Sequence, residues 1–531
     1  MRRLLYLLPA GLLVFGVVAW LYRGAVVVPP VHDGDQEVAW IHAATSGSTW
    51  ERFVTGIHRA AHDDSRLHVN DSHAFLDQTT SIPEVVVSAD GVSGKLRIRW
   101  YKLTSETNSN YWVRQLAARD PAPLAFIGGG TSDRALDLAR ALAGQAEWHG
   151  ERPLLLILTA TANAIHFDPL NGESDRLIDV YKGRSFRGCF TNEQMADAVV
   201  DFLWSQPDLR PTGSPLRALA SVASASEPWT GLLALASTAA DPPPAVTALE
   251  WNDDPYSIDL SRQFHKAFHA PHRPAVRGET RGIYYSVGGI YRPNRWETEA
   301  ADILLRDLLR PGAEFERQVL VLPASPVQGR RVLRSVVGSV PLAGRNLVAV
   351  TGDSVGFNHL YRDGDFAWNV RSVPVPLIAF AHQNPVAWDS ERANGEPHPA
   401  NTVARDAASS HLEADAPRSP LRPPSGTDDV LLHRDLVRLL TDAAFPAQGS
   451  ILDSADAVAN RLRDHDPPFF DAAGDRLVGH GEHVVVVRPQ FLDPGTPMLV
   501  TAHLEVWARS TDGWKFLERL TIDHGRTNRN P

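Results

Sequence analysis

An apolar run at residues 124–127 enters Gly128-Gly129-Gly130-Thr131-Ser132-Asp133, then a helical pattern over 134–146. A second apolar run, 153–158, ends in Thr159-Ala160-Thr161. Two short buried-type strands joined by one helix form a parallel β-α-β unit, which commits this part of the chain to a sheet with helices packed on its faces. Glycine lets backbone N–H groups approach a ligand closely. A helix start adds partial positive charge at the carboxyl edge of the sheet, which suits a carboxylate or another anion. An ordinary tight β-α turn reads the same way from local sequence, so the anion reading needs convergent polar groups from elsewhere.

The rest of the chain continues the alternation. Residues 37–42 read as a first strand, Ala43-Ala44-Thr45-Ser46-Gly47-Ser48-Thr49 as its turn and 50–61 as a helix. Residues 63–94 read as irregular apart from a strand at 84–88, and 95–102 as a strand whose Leu96, Ile98 and Trp100 share a face. Helices are expected at 111–118, 193–204, 258–268, 296–309 and near 328–337, and strands at 246–251, 318–322, 346–350 and 375–381. Helices at 430–444 and 455–464 precede a β-rich tail in which Asp512-Gly513 marks a hairpin turn. Residues 389–429 are rich in Ala, Pro, Ser, Asn and charge without apolar periodicity and read as a disordered insertion. There is no internal repeat.

Residues 4–22 are almost wholly apolar, with Arg2 and Arg3 before them and Arg23 after. That length matches a bilayer-spanning helix. We read it as an uncleaved single-pass anchor with the bulk of the chain periplasmic or extracytoplasmic; a cleaved signal peptide is the rival reading. Cys189 is the only cysteine, so no intramolecular disulfide is possible and the fold must rest on its core. With 43% hydrophobic residues in 531, the chain has ample material for one. A net charge of −10 without a basic tract argues against a nucleic-acid partner.

In order, these segments resemble a type 1 periplasmic binding protein, the two-lobed fold of branched-chain amino-acid receptors. The opening at 39–61 resembles the family's first strand, ligand-facing loop and helix. Residues 126–132 are similar to its second ligand loop and 156–162 to its third. Phe186-Arg187-Gly188-Cys189-Phe190 resembles the first crossover, 249–268 a second-lobe strand with an Asp-Pro-Tyr turn and helix, and 470–475 the closing hairpin. The resemblance spans roughly residues 37 to 522 and implies an α/β fold with two mainly parallel, helix-flanked sheets. The implied division is an anchor at 1–24, a tether at 25–36, lobe 1 at 37–188, lobe 2 at 189–366, a return to lobe 1 at 367–388, the insertion, and 430–531 completing the lobes.

The resemblance also implies a non-enzymatic protein, without a cofactor, that closes on a small polar, amino-acid-like ligand and serves a membrane permease or a sensor. Gly130, Thr131 and Ser132 would hold a ligand anion together with Thr159 and Thr161, and Ser46 and Ser48 would cap its other side. From lobe 2, Tyr256 would stack on the ligand and Asp353 would pair with an ammonium group. The insertion and the anchor depart from the family pattern.

Two other readings stay open. Gly352-Asp353-Ser354-Val355-Gly356 has the form of a hydrolase nucleophile elbow, with Asp471 and His480 or His483 as partners for Ser354. Alternatively, the fold is a non-catalytic scaffold that binds protein through the cleft or the insertion. His58 with His62 and His265 with His269 have i, i+4 spacing but no carboxylate companion, and read as solvated helix faces rather than a metal site.

Overall fold

The computed structural model describes residues 28–76, 80–167, 174–212, 245–251, 254–283, 317–324, 328–329, 332–333, 347–355, 375–384, 427–445, 452–464, 469–476, 482–491 and 499–523. The expected anchor at 4–22, the helix at 296–309, the insertion up to residue 426 and His480 lie outside them. Among the described residues no helix is long and apolar enough to cross a membrane.

Two separate sheets are present. The first is built from β1 (Gln36–Ala43), β2 (Leu67–His73), β3 (Glu84–Ala89), β4 (Leu96–Leu103), β5 (Ala125–Gly128), β6 (Leu154–Ile157) and β9 (Ser185–Arg187), in the order β2-β3-β4-β1-β5-β6-β9. It is parallel from β4 to β9, with β2 and β3 added antiparallel at one edge. The strands β7 (Ala164–Phe167) and β8 (Ser174–Arg176) make a separate hairpin.

The second sheet contains β10 (Ala245–Trp251), β11 (Arg277–Ile283), β12 (Gln318–Val321), β13 (Leu347–Val350), β14 (Leu377–Ala381), β15 (His483–Phe491), β16 (Leu499–Ser510) and β17 (Gly513–Asp523), ordered β11-β10-β12-β13-β14-β15-β16-β17. It is parallel up to β14 and antiparallel beyond.

Alternation along the central strands explains both cores. In β1, Val38 and Trp40 face one side of the sheet while Ala39 and Ile41 face the other. β6 divides likewise, Leu154 and Leu156 against Leu155 and Ile157, all fully buried. Each such side chain taken from water stabilises by roughly 1.5–3 kcal/mol. One face is covered by α1 (Gly47–Asp63), α6 (Thr427–Ala444) and α7 (Ala455–Asp464), the other by α2 (Ser109–Ala117) and α3 (Ser132–Gly144). Gly56 on α1 lets α6 approach: a Cβ there would lie 2.6 Å from the Cβ of His433. In the second lobe, α4 (Asn192–Ser205) and α5 (Pro255–Phe268) cover the face that carries Val319, Val321, Val348 and Val350.

Among the described residues the chain passes between the lobes at three places: from β9 to α4, from β14 to α6, and from α7 to β15. This corrects one expectation. Of residues 367–388, expected to return to lobe 1, the described 375–384 belong to lobe 2, because β14 hydrogen-bonds between β13 and β15 within the second sheet. The return is made by α6, which packs along α1. An apolar strand run states that it will be buried but not in which sheet. The tail also divides: α6 and α7 join lobe 1, and β15 to β17 extend lobe 2.

Lobe 1 carries a buried ionic cluster at the start of β1. Glu37 is 1% exposed and accepts from Arg119 Nη1 at 2.6 Å and from the Tyr101 hydroxyl, with Arg99 Nη1 3.6 Å away. Burial pushes the Glu37 carboxyl up, and the two arginines pull it back. Arg99 and Arg119 also donate to the Pro29 carbonyl at 2.7 and 2.9 Å, and Arg99 to that of Pro30 at 3.0 Å. Glu37→Ala would leave Arg119 without its carboxylate while Arg99 keeps Glu84 at 2.6 Å, and loss of one member of a buried ion cluster costs about 3–5 kcal/mol. We expect the urea midpoint reported by the Trp40, Trp50 and Trp100 fluorescence of lobe 1 to fall accordingly.

Candidate functional site

The carboxyl ends of the parallel strands in both sheets carry the candidate residues. In lobe 1, β5 ends at Gly128, and Gly129 turns the chain with φ of +86°, where side chains are strained. A Cβ at Gly130 would stand 2.3 Å from His42 Nε2, so glycine is what allows this loop to lie against the end of β1. Thr131 is the exposed N-cap of α3, and Ser46 is the half-buried N-cap of α1. Neither side chain accepts a hydrogen bond from its helix.

The contrast with the other helices is informative. Asn108 caps α2 through Tyr111 N–H, Thr191 forms a capping box with Gln194, and Asp254 caps α5 through Tyr256 N–H. Serine and threonine normally cap, because the first N–H groups of a helix have no internal partner. At α1 and α3, at the same sheet edge, no N-cap side chain takes up those donors, although Thr49 N–H bonds the Ser46 carbonyl at 3.0 Å.

The structure distributes the remaining lobe 1 candidates unevenly. Ser132 is 3% exposed and its Oγ accepts from Ala162 N–H at 3.3 Å, tying the second loop to the third. Thr159 Oγ1 donates to the Gly129 carbonyl at 3.0 Å. Thr161 is 1% exposed, and its buried hydroxyl has no hydrogen-bond partner among the described residues. Ser48 is exposed on the first turn of α1. Gly130, Thr131, Ser132, Thr159 and Thr161 are thus gathered at the tips of β5 and β6, with Ser46 and Ser48 at the tip of β1.

His42, which the sequence reading passed over, belongs to this group. Its Nδ1 accepts from Ala43 N–H at 3.1 Å, which places the proton of the neutral ring on Nε2, facing Gly130. Burial, followed by the positive charges of Arg134, His433 and Arg52, holds its pKa at about 4.

In lobe 2, Asp353 follows β13, and its carboxylate is shared. Oδ2 takes His382 Nε2 at 2.9 Å and Oδ1 takes the Tyr256 hydroxyl at 3.3 Å. The Phe190 N–H meets His382 Nδ1 at 3.4 Å, and the Phe190 ring stacks on the imidazole with centroids 5.7 Å apart. Gly352 makes room for Tyr256, since a Cβ there would sit 2.8 Å from the phenol oxygen. Tyr256 and Asp353 are therefore brought together at one strand edge, with His382 as a third member absent from the sequence reading.

Among the described residues the hydrolase arrangement is not assembled. Ser354 Oγ donates to the Ala324 carbonyl at 2.5 Å, and Asp353 is engaged by His382 and Tyr256. Asp471 caps the turn at Ala473 and Asp475, and His483 lies within β15 opposite Ala381 and Ala508. The histidine pairs do not gather ligands either. His58 bonds Asp71 at 3.0 Å, and His265 and His269 stack with centroids 4.1 Å apart. Among the described residues no group of three or more His, Cys, Asp or Glu side chains could hold a metal ion. Cys189 is buried and its thiol is pushed up to about 12, chiefly by that burial.

No family model matches the chain, and no curated protein matches it. Solved structures do. An ABC transporter substrate-binding protein from Desulfitobacterium hafniense in complex with Leu aligns at 14% identity over 91% of this chain and 100% of its own, with a TM-score of 0.47. The leucine-binding protein LivK of Thermotoga maritima aligns at 13% identity over 92% and 99%, TM-score 0.46. A solute-binding protein of an ABC transporter from R. palustris, in complex with 4-hydroxybenzoate, aligns at 10% identity over 92% and 98%, TM-score 0.46. The α/β architecture expected from the sequence resemblance stands on the chain's own topology: two mainly parallel, helix-flanked sheets joined by three described crossings.

His42 gives a testable pH dependence. Its folded pKa of about 4 lies below the ordinary 6.5, so the unfolded chain takes up the proton first as pH falls. Stability is therefore lost between about pH 6.5 and pH 4, on the order of 3 kcal/mol from this one group. His42→Gln should flatten that part of the profile, and the difference between denaturation curves of the two proteins at pH 7 and pH 4 measures it.

Proposed function

We propose that the protein is an extracytoplasmic binding protein for a small polar ligand, held to the membrane by residues 4–22 and serving a permease or a sensor. The observation that carries this reading is the pairing of two unlike strand edges. On lobe 1, α1 and α3 begin without a side-chain cap beside Gly130, Thr131 and His42. On lobe 2, Tyr256, Asp353 and His382 form one hydrogen-bonded group. The helices that follow β5 and β10 touch across the lobes, which sets these edges near one another.

Open helix starts favour a carboxylate. A carboxylate partly satisfied by Tyr256 and His382 keeps acceptor capacity for a ligand ammonium or hydroxyl. A ligand with an acidic end and a donor end, such as an amino acid or a hydroxylated aromatic acid, fits both. In this role Ser46, Ser48, Gly130, Thr131 and Thr161 face the ligand's acidic end, and Ser132 and Thr159 brace the loops behind them. Thr161 supplies a hydroxyl with capacity to spare.

Thermal denaturation in the presence of leucine, other amino acids, 4-hydroxybenzoate and small carboxylates tests the reading. A true ligand at a hundred times its Kd adds roughly 2.7 kcal/mol of stability. For the compound that gives the shift, Thr131→Ala and Asp353→Ala should each weaken Kd by about tenfold, equivalent to about 1.4 kcal/mol. Absence of a shift with every member of the panel would sink the proposal. The location is read separately: protease added outside spheroplasts should digest the chain, and carbonate washing should leave it in the membrane fraction.

A further inference from the structure

Asp259 lies in the second turn of α5, in lobe 2, and is completely buried. Among the described residues no cation pairs with it in a salt bridge. Its carboxylate instead collects neutral donors from three elements. Oδ2 accepts from Asn163 N–H at 2.7 Å and from Asn192 Nδ2 at 2.9 Å. Oδ1 accepts from Ala164 N–H at 3.3 Å and from Gln263 Nε2 at 3.2 Å.

Two of these donors are consecutive backbone N–H groups from lobe 1, just past the Thr159-Ala160-Thr161 tip of β6. Consecutive amides of this kind form a concave site for an anion. A third donor, Asn192, opens α4 immediately after the first crossing, and its own N–H bonds the Thr161 carbonyl at 2.8 Å. The Asn163 side chain reaches over to Glu193 of α4 at 3.2 Å. A buried carboxylate is tolerable only while its donors stay in place. Burial works against its charge and the donors work for it.

We infer that Asp259 fastens the two lobes together, holding α5 against the loop that follows β6 and so setting the distance between the Tyr256 wall and the Thr159–Thr161 wall of the cleft. Tyr256 sits three residues before Asp259 on the same helix, and the β6 tip sits two residues before Asn163. Both walls are therefore positioned from one carboxylate. The fastener acts on the protein without ligand, so it stands apart from what the cleft holds.

The full chain is tested with spin labels on Arg140→Cys in α3 and Lys515→Cys in β17, both exposed positions in opposite lobes. Cys189, buried with a raised thiol pKa, stays unlabelled. Without ligand, Asp259→Asn turns a donor group toward the two amides. It should raise the population at longer inter-label distances by at least tenfold over the parent protein. Gln263→Leu, which removes only the donor from the same helix, should keep the parent distribution. An unchanged distribution in Asp259→Asn, or equal widening in Gln263→Leu, overturns the inference. A measurement on the parent chain needs no variant: amide hydrogen exchange at Asn163 and Ala164 should be slow. Exchange at the rate of open loop amides would likewise overturn the fastening role.

Discussion

Arg187 is the cation on which the join between the two sheets depends. It is 1% exposed, at the last residue of the first sheet. Its Nη1 donates to the carbonyls of Thr161 and Ala162 at 3.0 and 2.9 Å, and its N–H to Gly474 at 2.9 Å. Its Nε lies 3.2 Å from Asp475, an ion pair by distance without hydrogen-bond alignment. One buried guanidinium thus binds the first crossing, the third crossing and the β6 tip to each other. The neighbouring Arg476 packs over the rings of Phe190 and Phe469 and extends the same cluster. Gly474 has φ of +87°, and a Cβ on it would lie 2.2 Å from the Ser185 carbonyl, so the third crossing can press on β9 only as glycine.

From that join outward, the polar groups divide into two kinds. Some have all their partners within the protein and hold parts together: Asp259, Ser132 and the capping groups of α2, α4 and α5. Others are left with capacity at the strand edges: the starts of α1 and α3, the buried Thr161 hydroxyl and the shared Asp353 carboxylate. A protein in which every polar edge served stability would close the second set as well. Their coexistence within one pair of sheets is the physical basis of the binding role proposed above.

Much of this was legible from residues alone, for identifiable reasons. β5, β6 and β13 are short, wholly apolar runs between turn residues, β12 is one after its first residue Gln318, and all are buried. β2, with the sequence Leu-His-Val-Asn-Asp-Ser-His, and β11, Arg-Gly-Glu-Thr-Arg-Gly-Ile, were missed because edge strands need no apolar pattern on two faces. β8 and β9, of three residues each, carry too few for any period to show, and in β7 His166 interrupts the apolar run. At the site, glycine and hydroxyl residues announced the lobe 1 tips. His42 and His382 did not stand out, although each occupies the end of a parallel strand, where ligand-facing residues collect. Asp259 had no signal at all, since a carboxylate inside an amphipathic helix ordinarily faces water.

The clamp at Pro29 and Pro30 has a mechanical consequence. Arg99 and Arg119 grip those two carbonyls from within lobe 1. Whatever pulls on the chain ahead of residue 28 therefore loads the first sheet directly, and reaches the second through the three described crossings, the Asp259 hydrogen bonds and the contact of α3 with α5. Lobe 1 thus meets any tension on the preceding chain before lobe 2 does.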